Sequence, residues 1–483
     1  MIGNNPHKKL TRFEGLSFAS GDLYGGGAQT MIAFFYLRFL TDMVGLQPGL
    51  AALIIAISKI WDAVSDPLMG VITDNTRSRW GRRKPWFLVG FFAIIIAMFL
   101  LWLPVQFENT SFRAAFVLFS YLFYSTVQTI IMVPYSAMSA EISMDYEERN
   151  FVNGSRLLFS QLSTLLAAVL PLTIVSAFAD ARIGYNVMAL VFGVFYALPF
   201  LLIFLICNER VPEPGEKARF DIRLFVKPLK LRSFRLLIAM YLGAFLMMDI
   251  ISAVFTYYMD YFLLRPKELE YVLGTLLIVS TCLVPLVIYL ANRLGKAKSF
   301  FIFLAVWLLG IALISQVNTN WPNWSIYVIA AIMGIGTTGG IVTPWIMYPD
   351  VTDVGELVFG KRVSGSFSGL MTFFRKLSGA LAIFIVGQIL QFAGYRIPIQ
   401  EMTGGKLVVT KFLQPESVII SLRLIVAVIP LFLLGVVFFA ARRYPLTREL
   451  HTRLVNVLKF KRGEQPETPA IKADEEELIR VLA

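Results

Sequence analysis

Three charged residues stand inside an apolar run at helical spacing. In AALIIAISKIWDAVSDPLMGVI, Lys59, Asp62 and Asp66 fall at i, i+3 and i+7, so a helix carries them on one face. Ionisable groups inside a spanning helix cost about 2.5–3.5 kcal/mol each and face a cavity or a partner. Two carboxylates one turn apart repel in a low dielectric. They call for a cation, a proton or the Lys59 ammonium between them. The plainer use is a static Lys–Asp pair pinning two helices. Pro67 follows Asp66 directly and removes the bond to the Ala63 carbonyl, freeing one more oxygen beside the acids. Hard cations prefer such oxygen ligands, and the same cage can hold a proton.

Other charges lie in apolar runs. Asp22 sits in SGDLYGGGAQT. Each glycine in the run Gly25, Gly26, Gly27 costs a helix about 1 kcal/mol against alanine; together they permit close packing or local unwinding beside a cavity. Asp22 is a candidate contact for substrate or cation, or for a neighbouring helix. Arg38, near the end of the same run, is expected to snorkel to the surface. Arg156, Asp249, Arg375 and Lys376 complete the set. Arg375 and Lys376 point about 100° apart on a helix, so at most one faces a cavity squarely. After Asp66 come Gly70 and Asp74, then Arg77, Arg79, Arg82, Arg83, Lys84 and Pro85. Asp74, Arg79, Arg82 and Arg83 are a candidate gating loop whose acid and basic cluster can latch onto other helix ends. The same bases also serve as topological charge.

The elements that must position these groups are membrane helices. The chain has 483 residues, 57% hydrophobic and only 16% charged, with mean hydropathy +0.68. Soluble domains carry about 45–50% apolar and about 25% charged residues, so the surplus apolar surface faces lipid. The net charge of +12 resides in short loops, where membrane topology places it, and does not call for nucleic acid. Cys207 and Cys282 lie in apolar segments and imply neither disulfide nor metal. His7 and His451, near the ends, exclude histidine chemistry within the membrane. The polar start lacks a cleavable leader pattern, so the first helix is expected to be retained.

About twelve apolar runs are long enough to span, at 18–44, 49–73, 85–105, 112–140, 152–178, 184–207, 234–263, 269–292, 299–317, 323–347, 364–393 and 418–441. Spanning strands are not expected, because no alternation of period two appears. The fold class is thus an all-α, multi-pass membrane protein. Basic loops include Arg293, Lys296 and Lys298, Lys361 and Arg362, and Arg442 and Arg443, whereas VGLQPG and NTNWPNWS carry no charge. The basic side is read as cytoplasmic, with both termini inside. The loop with Arg396, Lys406 and Lys411 goes against the rule. The polar stretch 208–233 separates two six-helix halves, 1–207 and 234–441, and 442–483 is a cytoplasmic tail read as a short surface helix followed by a mobile end. VPYSAMSAEISMDYEER and TPWIMYPDVTDVGELVFGKR echo each other after the fourth and tenth runs. Two parallel repeats place a binding cavity between halves near mid-membrane.

The string KIWDAVSDPLMGVITDNTRSRWGRRKPW resembles the second-helix signature of the glycoside–pentoside–hexuronide:cation symporters, of the major facilitator superfamily. GDLYGGG, DVTDVGELVFGKRVSG and FFRKLSGALA add to the resemblance. It implies that Asp62 and Asp66 bind the coupling cation, with Thr129 as a further oxygen and Ser65 in place of an asparagine. It also implies that Lys59 stands for an arginine, and that Arg156, Thr372 and Lys376 lie at the sugar. The family's galactoside-binding acids fall on Gly26 and Met132 here, and a tryptophan becomes Ser136, so a galactoside is not the expected cargo. Aromatic and cationic groups remain around the implied cavity: Tyr24, Tyr124, Tyr135, Tyr257, Trp345 and Phe374, with Arg156, Lys376 and Lys59. Aromatic faces stack on sugar rings, and Arg or Lys suits an acidic group.

The expectation is an inner-membrane symporter, acting as a monomer, that couples Na+ or H+ to a glycoside or uronide. The implied substrate contacts are Asp22, Gly26, Lys59, Tyr135, Arg156, Asp249, Trp345, Thr372 and Lys376. Its partners are a small molecule, a coupling cation and membrane lipid, without nucleic acid or organic cofactor. Two acids with Thr129 lean towards sodium. The same fold moving a lysophospholipid-like amphiphile is the alternative. An enzyme finds no support: Ser-His-Asp, HExxH and phosphate-loop patterns do not occur.

Overall fold

A computed structural model describes residues 9–143, 145–209, 225–360, 364–403, 406–461 and 469–482. Most of the central loop, together with His7, Lys361 and Arg362, lies outside the described residues. Eleven described helices are long and apolar enough to cross a membrane.

The first apolar run differs from the continuous helix expected. It is built from α1 (Arg12–Ala19), α2 (Asp22–Met31), a π turn (Ile32–Tyr36) and α3 (Leu37–Asp42). The glycines act as contacts rather than hinges. A Cβ on Gly26 would meet the Ser160 carbonyl at 2.7 Å, and one on Gly27 would meet Tyr196 and Ser163. Their absence lets α2 lie against α7 (Tyr146–Ser176) and α8 (Ala181–Ile206).

The remaining spans of the first half are α4 (Pro48–Asn75), α5 (Lys84–Leu101) and α6 (Thr110–Glu141). Pro48 starts α4 at its first turn, where a missing N–H costs nothing. Asn109 caps α6, and Asp145 and Asp180 cap α7 and α8, each by accepting from a backbone N–H. Helices α4 and α6 pack together, as do α5 and α8. The second half contributes α9 (Arg232–Tyr257), extended by a π turn (Tyr258–Phe262), then α10 (Leu269–Leu294), α11 (Lys296–Gln316), α12 (Asn323–Phe359), α13 (Ser364–Phe392) and α14 (Glu416–Arg442). Close approach of α11 and α12 depends on Gly336 and Gly339, where a Cβ would run into Trp307 and Phe303.

The chain forms two compact units. One comprises Met1–Phe220, Ser252–Gly274 and Ile383–Ser421; the other comprises Asp221–Ile251, Thr275–Ala382 and Leu422–Ala483. The long loop after α13 holds an antiparallel hairpin, β1 (Ile399–Thr403) with β2 (Lys406–Thr410), with Ile399 opposite Thr410. The tail is more ordered than the mobile end expected. Its α15 (Arg448–Lys461) buries Leu454, Val457 and Leu458 and packs on α12. Helix α16 (Pro469–Leu482) is tied to it by Arg453–Asp474 and Lys461–Glu475 pairs, both at 2.5 Å.

Candidate functional site

The helical spacing of α4 places its acids against α6. Asp62 is 0% exposed, and the Lys59 ammonium stands 3.8 Å from its carboxylate. One turn on, the Thr129 hydroxyl donates to Asp66 at 2.8 Å. Ser65 lies 3.1 Å from the Thr129 hydroxyl. Thus Asp66, Thr129 and Ser65 form one oxygen cluster, with Asp62 and Lys59 beside it on the same helix. Thr129 belongs to α6, so this cluster joins two helices. The Lys59–Asp62 distance is longer than a hydrogen bond, so the static pair foreseen as the plain alternative is loose.

A second cluster lies on α2, α6 and α7 of the same unit. Arg156 Nε donates to Asp22 at 2.5 Å. The guanidinium also lies over the Tyr135 ring, 4.6 Å from its centroid, and the Tyr135 hydroxyl donates to the Phe18 carbonyl at 3.0 Å. Three of the implied substrate residues therefore meet. Gly26 does not join them, because its contact with α7 leaves no room for a side chain there.

In the other unit, Asp249 of α9 accepts two hydrogen bonds from Arg375 of α13, at 2.6 and 3.0 Å. Arg375 stacks over Phe245 at 4.3 Å. Tyr241, which the sequence did not single out, sets its ring 4.7 Å from that of Phe245, and Trp345 packs edge-on against the Tyr241 ring at 5.5 Å. Lys376 is half-buried and Thr372 exposed on the same helix. Arg375 is thus an α13 cation that reaches Asp249.

Two expectations are corrected. Arg38 does not snorkel. It pairs with Asp42 at 3.3 Å and with Asp260 of the π turn after α9. Lys411 adds a second cation to Asp260 at 2.6 Å, and Tyr395 donates to Asp42 at 2.8 Å. Tyr257, placed with the cavity aromatics above, is 0% exposed and bonds Thr41 in this same network. Partners hundreds of residues apart gave the sequence no signal.

In the loop after α4, Asp74 pairs with Arg83 at 3.2 Å. Its counterpart was missed: the Glu209 carboxylate, just past α8, accepts from the backbone N–H groups of Arg82, Arg83 and Lys84 at 3.0, 2.7 and 3.1 Å. It caps the N-terminus of α5, where the helix dipole favours an anion. Gly81 makes the turn at φ +110°, a conformation side chains rarely adopt. Arg79 stays outside the latch, exposed and stacked on Trp80 at 4.5 Å.

Eleven apolar helices with ion pairs and oxygen clusters buried among them make an integral, multi-pass membrane protein of the transporter type. The profile described as MFS/sugar transport protein matches residues 17–448. The chain belongs to that family, within the major facilitator superfamily. The chain is 23% identical to a sodium-dependent lysophosphatidylcholine symporter of Danio rerio, covering 97% of this chain and 92% of that protein. It is also 23% identical to an isoprimeverose transporter of Lactiplantibacillus pentosus, over 80% of this chain and 82% of the other. The solved nucleoside transporter NupG shares the fold, with a TM-score of 0.61 at 13% identity, covering 89% of this chain and 97% of that one.

Proposed function

We propose that this protein is a secondary active transporter, not an enzyme, coupling inward movement of Na+ or H+ to symport of a glycoside by alternating access. The observation that carries this is the oxygen cluster of Asp66, Thr129 and Ser65 beside the fully buried Asp62. The cluster gathers a carboxylate and two hydroxyls next to a second, fully buried carboxylate, and oxygen ligands of this kind are what a hard cation prefers. Substrate and cation then favour each other reciprocally.

For the cargo, the geometry sharpens the sequence reading. Arg156 already pairs with Asp22, and Arg375 with Asp249. An unpaired guanidinium suits an anion, but an Arg–Asp pair offers donors and acceptors together. Sugar hydroxyls use both at once, and Trp345, partly exposed, supplies a ring face. This favours a neutral glycoside over a uronide. The second reading is a zwitterionic lysolipid, whose headgroup can also match an Arg–Asp pair. Its support is the near full-length likeness to the lysophosphatidylcholine symporter.

The test is uptake by proteoliposomes under an imposed sodium or proton gradient, with glycosides, uronides and lysophospholipids offered separately. Glycoside uptake is the expected result. Uptake of lysolipid alone moves the reading to the second, and uptake of none under either gradient rejects both.

A further inference from the structure

The face of α6 near Asp62 carries more oxygen than its hydrogen bonds use. Tyr121, Tyr124, Ser125, Gln128 and Thr129 recur at i, i+3, i+4, i+7 and i+8, a single helical stripe. Thr129 is engaged with Asp66. The hydroxyls of Tyr121, Tyr124 and Ser125 and the amide oxygen of Gln128 are buried without a hydrogen-bond partner among the described residues. From α2, Tyr24 brings another such hydroxyl. Its ring meets Tyr124 edge-on at 6.4 Å. The register of α4 on α6 sets Asp62 level with this stripe: one residue before it the Trp61 indole donates to Thr126 at 2.9 Å, and one turn after it Asp66 accepts from Thr129.

Buried polar atoms are costly unless something polar takes them up. None of these donors is an acid, so the set adds oxygen without adding repulsion. On the side away from Lys59, a carboxylate bordered by neutral oxygens offers a donor set that replaces the hydration shell of a hard monovalent cation. A proton, by contrast, needs only a single carboxylate oxygen.

We propose that Tyr24, Tyr121, Tyr124, Ser125 and Gln128 complete the coordination of the cation at Asp62 and select sodium over the proton. The proposal rests on the reading of Asp62 as the coupling-ion residue, and it assigns the choice of ion to neutral side chains outside the Asp66–Thr129–Ser65 cluster.

The test uses the full-length purified protein with Tyr24→Phe, Tyr124→Phe, the double variant, and Gln128→Leu. Each phenylalanine keeps the ring and removes only an unpartnered oxygen, so the sodium-free thermal midpoint is expected to hold or rise. Sodium is titrated against choline at fixed pH, reading the thermal midpoint and, in proteoliposomes, uptake. The half-saturating sodium concentration is expected to rise about tenfold per oxygen removed, with the proton response retained. Variants that share the wild-type sodium titration overturn the proposal and leave symport at Asp62 standing, even if their sodium-free stability falls. A wild type that responds to protons but not to sodium also overturns it. A wild type that responds to neither overturns the symport reading as well.

Discussion

Two regions of one compact unit bury charge in apolar surroundings, and they balance it differently. In the network around Arg38, two carboxylates, Asp42 and Asp260, meet two cations, Arg38 and Lys411. In the region around Asp62, the Lys59 ammonium stands off at 3.8 Å, and hydroxyls of Thr129 and Ser65 gather at Asp66. The first set neutralises itself and is fit to hold helix ends together. The second gathers carboxylate and hydroxyl oxygens and is fit to bind a hard cation. Burial alone therefore does not mark a site; the kind of group gathered there does.

The comparison breaks most visibly at the self-neutral network. Arg38→Met leaves Asp260 and Asp42 with fewer cations than charges and is expected to cost roughly 3–5 kcal/mol of stability. The double variant Arg38→Met/Asp260→Leu restores balance and is expected to recover much of that loss in a thermal unfolding series. If the double variant is as unstable as the single one, charge balance is not what the network supplies.

Next in size is Glu209→Gln. It keeps one acceptor oxygen, enough for the Arg83 and Lys84 amides, but removes the oxygen that takes the Arg82 amide and the charge at the α5 N-terminus, for an expected loss of about 1–2 kcal/mol. A change in transport rate without a change in stability would make Glu209 a gate rather than a cap.

The smallest effect is expected in the tail. His451 of α15 donates to Asp353 at 3.4 Å and lies 3.6 Å from Asp350, which Lys296 also contacts. The hydrogen bond to Asp353 raises the His451 pKa, burial and Lys296 oppose this, and Asp350 adds to it. A raised folded value means that the protonated pair stabilises docking below the ordinary histidine range. That stability is lost as pH rises through the raised value. His451→Gln is expected to flatten this dependence by about 0.5 kcal/mol, measured as hydrogen exchange of α15 between pH 5 and 8. An unchanged profile would leave the contact without a titrating role.

Much of this was legible from the sequence because it is local. The spacing of Lys59, Asp62 and Asp66 needs only a helix to become a face, and the apolar runs need only a length. The resemblance added Thr129, which the structure sets on Asp66. What the sequence hid is long-range. Asp260 lies 222 residues from Arg38, and Glu209 lies 126 residues from the Arg83 amide it accepts from. Periodicity carries no information about such pairings. The segmented first run was also hidden: the glycines signalled close packing or unwinding alike, and the π turn follows them at Ile32–Tyr36. The end of the tail was misjudged because α16 owes its order to packing on α15 and to the Arg453–Asp474 and Lys461–Glu475 pairs, not to its own composition.

The claim that the carboxylates Asp62 and Asp66 are where the driving ion binds is met most directly by substrate accumulation in proteoliposomes. Wild-type protein, Asp62→Asn and Asp66→Asn are compared under an imposed sodium or proton gradient, with equilibrium exchange as the control. The account predicts accumulation above equilibrium for the wild type and none for either folded variant. Accumulation that persists in both variants would contradict it.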